Sequence, residues 1–223
     1  MADEVAARLQ MVGRLKRAGV VVNPAVEAAM LQVPRHRFVP HLDGCAAYRD
    51  EAVMVKHARN GAPISSLSQP TIVATMLERL QVTPGHHVLE VGTGTGYNAA
   101  LLSVLAGHDG CVVSVELEPD LAERAARTLD ASGYGRVHVL VGDGRDGYPP
   151  RAPYDRVIVT TGARALSETW IGQLADGGRL VVPLVDHRGV GLIVVFELIG
   201  GELVHTTGAA CGFIPLRHAP AQG

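Results

Sequence analysis

Residues 87–97 have the sequence HVLEVGTGTGY, in which a short apolar stretch is followed by three glycines at alternate positions. The stretch predicts a buried strand, and residues 97–106 predict a helix, so the glycines lie between a strand and a helix. Glycine lets the main chain turn tightly and approach a ligand at a helix N-terminus. A tight turn without a ligand would use the same residues. The segment therefore indicates one α/β unit and a candidate nucleotide-binding loop.

The spacing of the glycines selects among nucleotide ligands. A dinucleotide fingerprint needs its third glycine five residues after the first, but that position holds Tyr97 and the third glycine is Gly96. The pattern Gly-x-Gly-x-Gly is instead typical of enzymes that use S-adenosylmethionine. Glu116 ends the next predicted strand, where an acid can accept hydrogen bonds from ribose hydroxyls. Asp143 and Gly144 follow the third predicted strand, at a position suited to the adenine edge.

Strands and helices alternate along most of the chain, which predicts a mostly parallel sheet with helices on both faces. The predicted strands are residues 87–91, 111–116, 137–141, 156–160 and 179–183, and the predicted helices are residues 70–80, 97–106, 119–132 and 167–175. Residues 191–198 and 202–206 flank two glycines, which is typical of a hairpin. We predict a Rossmann-like, doubly wound α/β fold with an antiparallel C-terminal edge.

The first part of the chain is predicted to form a small helical lobe. A first helix is indicated by four apolar residues at helical spacing, Val5, Leu9, Val12 and Leu15. Asn23 followed by Pro24 is typical of the start of a second helix. Residues 48–68 show no clean period, and irregular stretches of this length are more often functional than structureless. We expect residues 1–68 to form this lobe with a substrate-side segment, and residues 69–223 to form the cofactor-binding core.

Composition argues against several classes of protein. Apolar residues make up 47% of the chain and charged residues 19%, which excludes disorder as a class. Twenty Lys and Arg against 22 Asp and Glu give a net charge of −2, so we expect no nucleic-acid partner. No apolar run approaches the ~18 residues of a membrane span, and no signal-peptide core follows the N-terminus. The three cysteines are widely spaced, which predicts reduced thiols in the cytoplasm and neither disulfides nor a metal site.

Several further segments resemble one enzyme family over nearly the whole chain. Residues 33–40, VPRHRFVP, are similar to the N-terminal signature of the protein-L-isoaspartate O-methyltransferases, and Ser68-Gln69-Pro70 matches the active-site triplet of that family. Residues 88–97 match its cofactor loop, and residues 213–216, FIPL, resemble its C-terminal signature. Shorter matches cover residues 142–144, 152–155, 173–174 and 177–180. The triplet and the C-terminal signature are the most specific of these.

The family transfers a methyl group from S-adenosylmethionine to the side-chain carboxylate of an isoaspartyl residue. The resemblance implies that Ser68 lies closest to the chemistry, and that the substrate is positioned by Ser66, Leu67, Gln69, Pro70 and Ile214. It implies that the cofactor is bound by Glu90, Gly92, Thr93, Gly94, Tyr97, Asn98, Glu116, Leu117, Asp143 and Gly144. The implied partner is a polypeptide or peptide with an isoaspartyl or aspartyl residue.

This reaction makes few demands on side-chain chemistry. A carboxylic acid with a pKa near ~4 is already ionised at neutral pH, so its attack needs no general base. The site must instead position the attacking oxygen in line and exclude water from it. A hydroxyl at Ser68 suits that task, and helix capping is a second role that this serine could fill at the same time. We expect no catalytic triad, despite ten histidines in the chain.

Two segments depart from the family pattern. Family members usually have Gly-Gln-Thr-Ile before the active-site triplet, where this chain has Ser65-Ser66-Leu67, and residues 51–57, EAVMVKH, replace a proline-containing approach. These departures resemble a branch that methylates aspartate in ribosomally made peptides, where the ester then collapses to an aspartimide. Repair of damaged proteins and maturation of one peptide both remain open, with a small-molecule or nucleic-acid methyltransferase and a non-catalytic cofactor-binding protein as weaker alternatives.

Overall fold

The computed structural model describes residues 2–218, which form nine strands and six α-helices. The strands are β1 (Val53–His57), β2 (Pro63–Leu67), β3 (His87–Val91), β4 (Cys111–Glu116), β5 (His138–Val141), β6 (Tyr154–Val159), β7 (Leu174–Val185), β8 (Val190–Ile199) and β9 (Glu202–Gly212). The helices are α1 (Ala2–Arg17), α2 (Pro24–Gln32), α3 (Pro70–Leu80), α4 (Tyr97–Ala106), α5 (Pro119–Ala131) and α6 (Glu168–Gly172).

Seven of the strands form one sheet in the order β5-β4-β3-β6-β7-β8-β9. Strands β3 to β7 are parallel, and β8 and β9 add an antiparallel edge, so the predicted fold class is confirmed. The chain runs outward from β3 through β4 to β5 and then crosses back to β6 on the other side of β3. Ligands of open α/β sheets bind at the carboxyl ends of the strands beside such a reversal.

Apolar side chains alternate between the two faces of the sheet. In β3, Val88 belongs to one hydrophobic cluster, and Leu89 and Val91 belong to the other. The cluster around Val88 also contains Met30 and Phe38 from the first part of the chain. The N-terminal helices therefore share a core with one face of the sheet. The division of the chain after residue 68 stays a prediction.

The first helix forms where it was predicted but buries only part of the predicted stripe. Val5 and Leu9 are 47% and 56% exposed, whereas Met11, Val12 and Leu15 are buried. The predicted stripe was thus wrong in its first half. Ala7 is the residue of the first half of α1 that packs against the same hydrophobic cluster. The second helix begins at Pro24 as predicted, and the Asn23 side chain accepts a hydrogen bond from the Ala25 N–H at 2.8 Å.

Residues 48–68 are more regular than the sequence indicates. Strands β1 and β2 form an antiparallel hairpin, in which register shifts interrupt the pairing between Met54 and His57. Neither strand shows strict alternation of buried and exposed residues. A hairpin that is partly covered on both faces carries no two-residue hydrophobic period, which is why the prediction of an irregular segment was wrong.

Near the end of the sheet, the boundaries also differ from the prediction. The helix predicted over residues 167–175 is reduced to α6, because Leu174 already pairs with Tyr154 in the parallel ladder. Strand β9 extends to Gly212, beyond the predicted end at residue 206. Within residues 2–218, no helix has both the length and the apolar character needed to cross a bilayer.

Candidate active site

A cavity of about 820 Å³ lies at the carboxyl ends of β3 and β4. It brings together most of the residues that the sequence predicts for the site: Ser66, Leu67, Ser68, Gln69, Gly92, Thr93, Gly94, Tyr97, Asn98, Glu116, Leu117, Gly144 and Ile214. The other three predicted residues, Pro70, Glu90 and Asp143, are not among the residues that line it. Residues predicted to position the substrate and residues predicted to bind the cofactor therefore line the same cavity.

The glycine loop needs glycine at two positions for different reasons. A Cβ on Gly92, which has φ +99°, would lie 2.6 Å from Oγ1 of Thr160 on the neighbouring strand end. Gly94, with φ +54°, faces the cavity, and a Cβ there would lie 3.4 Å from Oγ of Ser65 across it. A positive φ is easily adopted by glycine and rarely by other residues. The loop thus packs against β6 on one side and leaves room for a ligand on the other.

Glu116 holds the glycine loop in place. Its Oε2 accepts a hydrogen bond from the Gly94 N–H at 2.8 Å, and its Oε1 accepts one from the Glu118 N–H at 3.1 Å. The residue is only 7% exposed and lines the cavity. A carboxylate offers about four acceptor sites, so acceptor capacity remains for two hydroxyl groups of a ligand.

Glu90 supports the loop from behind. Its side chain is wholly buried and accepts hydrogen bonds from Ser114 Oγ at 2.5 Å and from Asn98 Nδ2 at 2.8 Å. Ser114 is in turn hydrogen-bonded to Thr93, which lines the cavity. Burial raises the pKa of Glu90 to about 7, against the opposing effect of the hydrogen bonds from Ser114 and Asn98. Glu90 thus acts on the cavity through Thr93 and Asn98.

Asp143 is engaged locally. Its Oδ1 accepts a hydrogen bond from the Arg145 N–H at 2.9 Å, which caps a 3₁₀ turn, and its Oδ2 pairs with the Arg145 guanidinium at 2.8 Å. Gly144 is the residue of this pair that lines the cavity. A Cβ on Gly144 would lie 2.4 Å from Val91 Cγ1, so the main chain packs closely on β3 here. The adenine contact assigned to Asp143 stays a prediction.

The start of α3 is capped by a residue that the sequence does not indicate. Gln69 occupies the N-cap position without a side-chain capping bond, so the capping role considered for Ser68 was wrong. Asp50 provides the cap instead. Its Oδ1 accepts a hydrogen bond from the Thr71 N–H at 2.8 Å, and its Oδ2 accepts one from Thr71 Oγ1 at 2.6 Å. Gln69 Nε2 also donates to Asp50 Oδ2, at 3.1 Å. Ser68 is half-buried on the cavity wall and is not needed for this cap.

The segment after β9 returns to the site. Gly162, which follows β6, donates its N–H to the Ile214 carbonyl at 2.8 Å and accepts from the Leu216 N–H at 2.7 Å. These bonds form an isolated parallel bridge between Gly162 and Pro215. Ile214 is thereby placed on the cavity wall, as the C-terminal signature implies.

Four charged residues link β1, the start of α5 and the segment after β9, and we call them the Glu118 cluster. Glu118 accepts hydrogen bonds from Lys56 Nζ of β1 at 2.6 Å and from the Arg217 guanidinium at 2.8 Å, and Lys56 also pairs with Asp120 at 2.5 Å. The hydrogen bond from Lys56 has the largest effect on the pKa of Glu118 and lowers it, and the hydrogen bond from Arg217 lowers it further. Partners 62 and 99 residues apart leave no signal in the sequence.

The site geometry agrees with a comparison to known protein families. The family model described as protein-L-isoaspartate(D-aspartate) O-methyltransferase matches residues 6–220. The chain belongs to this family. It is therefore a methyltransferase, and the methyl donor of the protein-L-isoaspartate(D-aspartate) O-methyltransferase family is S-adenosylmethionine.

Individual relatives in the same family are similar over most of their length. A protein-L-isoaspartate O-methyltransferase of Methanopyrus kandleri is 43% identical over 211 residues, which cover 94% of this chain and 91% of the relative. One of Gloeobacter violaceus is 40% identical, over 95% of this chain and 99% of the relative. A solved protein-L-isoaspartate O-methyltransferase superposes with a TM-score of 0.84 at 33% identity and covers 93% of this chain. The chain spans 65% of the length of that solved protein.

The cavity fits the family's methyl donor. When bound, S-adenosylmethionine supplies a methyl group attached to a sulfonium sulfur, and this sulfur leaves as a neutral thioether. Gly92, Gly94 and Leu117 would line the binding site of this cofactor. Glu116 has the acceptor capacity that two ribose hydroxyls require. The volume of about 820 Å³ lies within the usual range for small-molecule sites and leaves space for a substrate side chain.

Proposed function

We propose that this methyltransferase esterifies the side-chain carboxylate of L-isoaspartyl residues in polypeptides, as a repair enzyme. The observation that carries the proposal is that Ser68 lines the same cavity as the glycine loop and Glu116. A carboxylate held at Ser68 would face the methyl donor within one enclosed space. The proposal takes its substrate class from the names of the relatives.

Ser68 is proposed as the hydroxyl that orients the attacking carboxylate. Its hydroxyl is not needed to cap α3, because Asp50 provides that cap. No histidine is among the described residues that line the cavity, and an ionised carboxylate needs no base. Ser68 would thus act by positioning and not by proton transfer.

The residues around Ser68 are proposed to bind and shield the substrate. Leu67 and Ile214 give the cavity apolar walls, and Gln69 is held by Asp50 so that its position is fixed. Ser66 adds a second hydroxyl at the same wall, and Pro70, the last residue of the triplet, is the first residue of α3. Apolar walls exclude water from the attacking oxygen, which strengthens every polar interaction there.

The test is methyl transfer from labelled S-adenosylmethionine to two peptides that differ only in an isoaspartyl or an aspartyl linkage, with RNA as a third acceptor. We expect transfer to the isoaspartyl peptide, with little dependence on the neighbouring sequence. Transfer restricted to an aspartyl peptide would replace repair by peptide maturation, which the Ser65-Ser66-Leu67 departure from the family pattern favours. Transfer to RNA alone, or to none of the three, would contradict the proposal.

The same assay tests Ser68. Ser68→Ala should lower kcat about 10- to 100-fold while the affinity for the cofactor stays the same, because main-chain donors remain in the site. Ser132→Ala, near the end of α5 and not among the residues of this cavity, is the matched control. A complete loss of activity with a steep pH dependence near neutrality would indicate a general base instead.

We also propose that the enzyme works in the cytoplasm. All three cysteines are free thiols, and Cys211 is buried, which is typical of a reducing compartment. Cell fractionation followed by immunodetection tests this location, and recovery in a membrane or extracellular fraction would contradict it.

A further inference from the structure

Arg35 is a fully buried cation directly behind Ser68. It is 0% exposed. Its guanidinium donates from one terminal nitrogen to the Ser68 carbonyl at 2.8 Å and from Nε to the Ala47 carbonyl at 2.7 Å. The side chain thus ties the turn before α3 to the N-terminal part of the chain. One residue fixes the main chain at the position where the substrate carboxylate is proposed to lie.

Among the described residues, no carboxylate is in contact with this charge. Both acceptors are neutral carbonyls, and the guanidinium lies 5.1 Å from the centroid of the Tyr97 ring. Burial raises the pKa of Tyr97 to about 12, so its phenol stays neutral. Asp50 acts on Arg35 only through space, and its oxygens bind Gln69 and Thr71.

The charge of Arg35 persists although burial disfavours it. Burial lowers the pKa of Arg35, but a guanidinium is not deprotonated in proteins at neutral pH. A buried charge without an ion-pair partner has a large desolvation cost. A neutral side chain of similar volume would avoid that cost, so the retained charge points to an interaction that the protein alone does not complete.

We propose that Arg35 is a positioning residue for methyl transfer, which fixes the Ser68 turn by hydrogen bonding and whose positive charge favours an anionic carboxylate in the cavity over its neutral ester. This inference rests on the proposed function. The reaction converts an anion into a neutral ester, so the substrate would gain the attraction and the product would lose it. The same charge would thereby favour substrate binding and product release.

The two effects of Arg35 would fall on different kinetic constants. Attraction to the anion is strongest for the bound substrate and weakens as its charge is neutralised, so it lowers KM and, to a smaller extent, opposes the methyl-transfer step. Fixing the Ser68 turn orients the carboxylate for attack, so it changes kcat. A merely structural arginine would change stability without separating these constants.

The experiment compares Arg35→Met, which removes the charge, with Arg35→Lys, which keeps the charge but not the forked hydrogen bonding. Calorimetry on enzyme saturated with S-adenosyl-L-homocysteine would measure the Kd of an isoaspartyl peptide and of the same peptide with that carboxylate replaced by a carboxamide. We expect the wild type to prefer the anionic peptide on the order of tenfold, the scale of two unit charges about 10 Å apart at an effective dielectric constant of about 20. Arg35→Met should lose this preference, and Arg35→Lys should keep it while kcat falls.

Arg37→Met, on the exposed side of the same 3₁₀ turn, is the matched control and should leave both Kd values and kcat unchanged. Unchanged affinity for S-adenosyl-L-homocysteine would show that the Arg35 variants are folded. If Arg35→Met does not fold, Arg35→Lys decides: an unchanged kcat overturns the positioning role. An equal anion preference in Arg35→Met and the wild type overturns the charge effect. A wild type that methylates no isoaspartyl peptide overturns the proposed function instead.

Discussion

The glycine-loop wall of the cavity comes from residues 87–98 and the end of β4, whereas the opposite wall combines the hairpin, the start of α3 and residues 213–217. The first wall is held by buried acids, Glu90 and Glu116, bonded to their own loop. The second is held by partners far apart in sequence, such as Asp50 and the Glu118 cluster.

This difference predicts how strongly a substitution in each wall will affect the protein. A buried, locally bonded loop tolerates little change, since each polar group there needs its partner. Partly exposed ion pairs contribute little and can be exchanged. We therefore expect cofactor binding to depend on few residues with large effects, and substrate choice to depend on many residues with small effects.

The largest expected effect is at Gly94. Gly94→Val should weaken cofactor binding more than about 100-fold, because a β-branched side chain at φ +54° is strained and fills the space that faces Ser65. Gly133→Val is the matched control, since Gly133 also has a positive φ but no neighbouring atom within 4 Å of an added Cβ. Calorimetric titration with S-adenosyl-L-homocysteine measures both. Equal affinities of the two variants would show that the loop is only a turn.

Glu90 should make stability depend on pH. Its pKa in the folded protein is raised from 4.5 to about 7, so the stabilising contribution of Glu90 is complete below pH 4.5 and is lost as the pH rises through 7. This loss amounts to roughly 3 kcal/mol. Glu90→Gln should lack it, and urea unfolding at pH 5 and pH 8 compares the two proteins. Parallel pH profiles would show that Glu90 ionises normally.

Glu116 should contribute directly to the binding of the cofactor. Glu116→Ala should weaken binding by about 1.5–3 kcal/mol, the range for hydrogen bonds to a charged group. Glu123→Ala, an exposed acid on α5 that pairs with Arg127, is the control and should bind normally. Unchanged affinity of Glu116→Ala would remove this residue from the cofactor site.

The smallest effect is expected in the Glu118 cluster. Glu118→Gln should cost under about 1 kcal/mol of cofactor affinity, or at most about fivefold, because its pairs are partly exposed. In the wild type this contribution should fall as salt rises, and in the variant it should be absent at every salt concentration. Glu123→Gln is again the control. A loss of cofactor affinity above about 100-fold in Glu118→Gln would show that Glu118 is as important as the residues of the glycine-loop wall.

The sequence predicted the local parts of the molecule well. Strand β3 and helix α4 begin and end at the predicted residues, because an apolar run, a glycine turn and a helix follow one another directly. The predicted site residues that directly follow β3 in the sequence also line the cavity: Gly92, Thr93, Gly94, Tyr97 and Asn98. Their roles in binding stay predictions.

Non-local contacts account for what the sequence did not predict. Helix α6 is short because the Gln173 side chain binds the main chain at Asp146 and Tyr148, and β7 begins at the next residue. Val5 and Leu9 have helical spacing but no partner surface among the described residues to cover them. Asp50 and Lys56 make their contacts from segments that carry no motif, and the signature that contains Arg35 does not indicate its hydrogen bond to the Ser68 carbonyl.

Because Asp50 caps α3, the stability of this helix does not depend on the side chain of residue 68. A serine that both capped the helix and held the substrate could not be exchanged without loosening the helix. In this protein Asp50 caps the helix, so residue 68 can be changed to suit another methyl acceptor with little loss of folding stability. An engineer who wants a new substrate should vary Ser68 and leave Asp50 untouched.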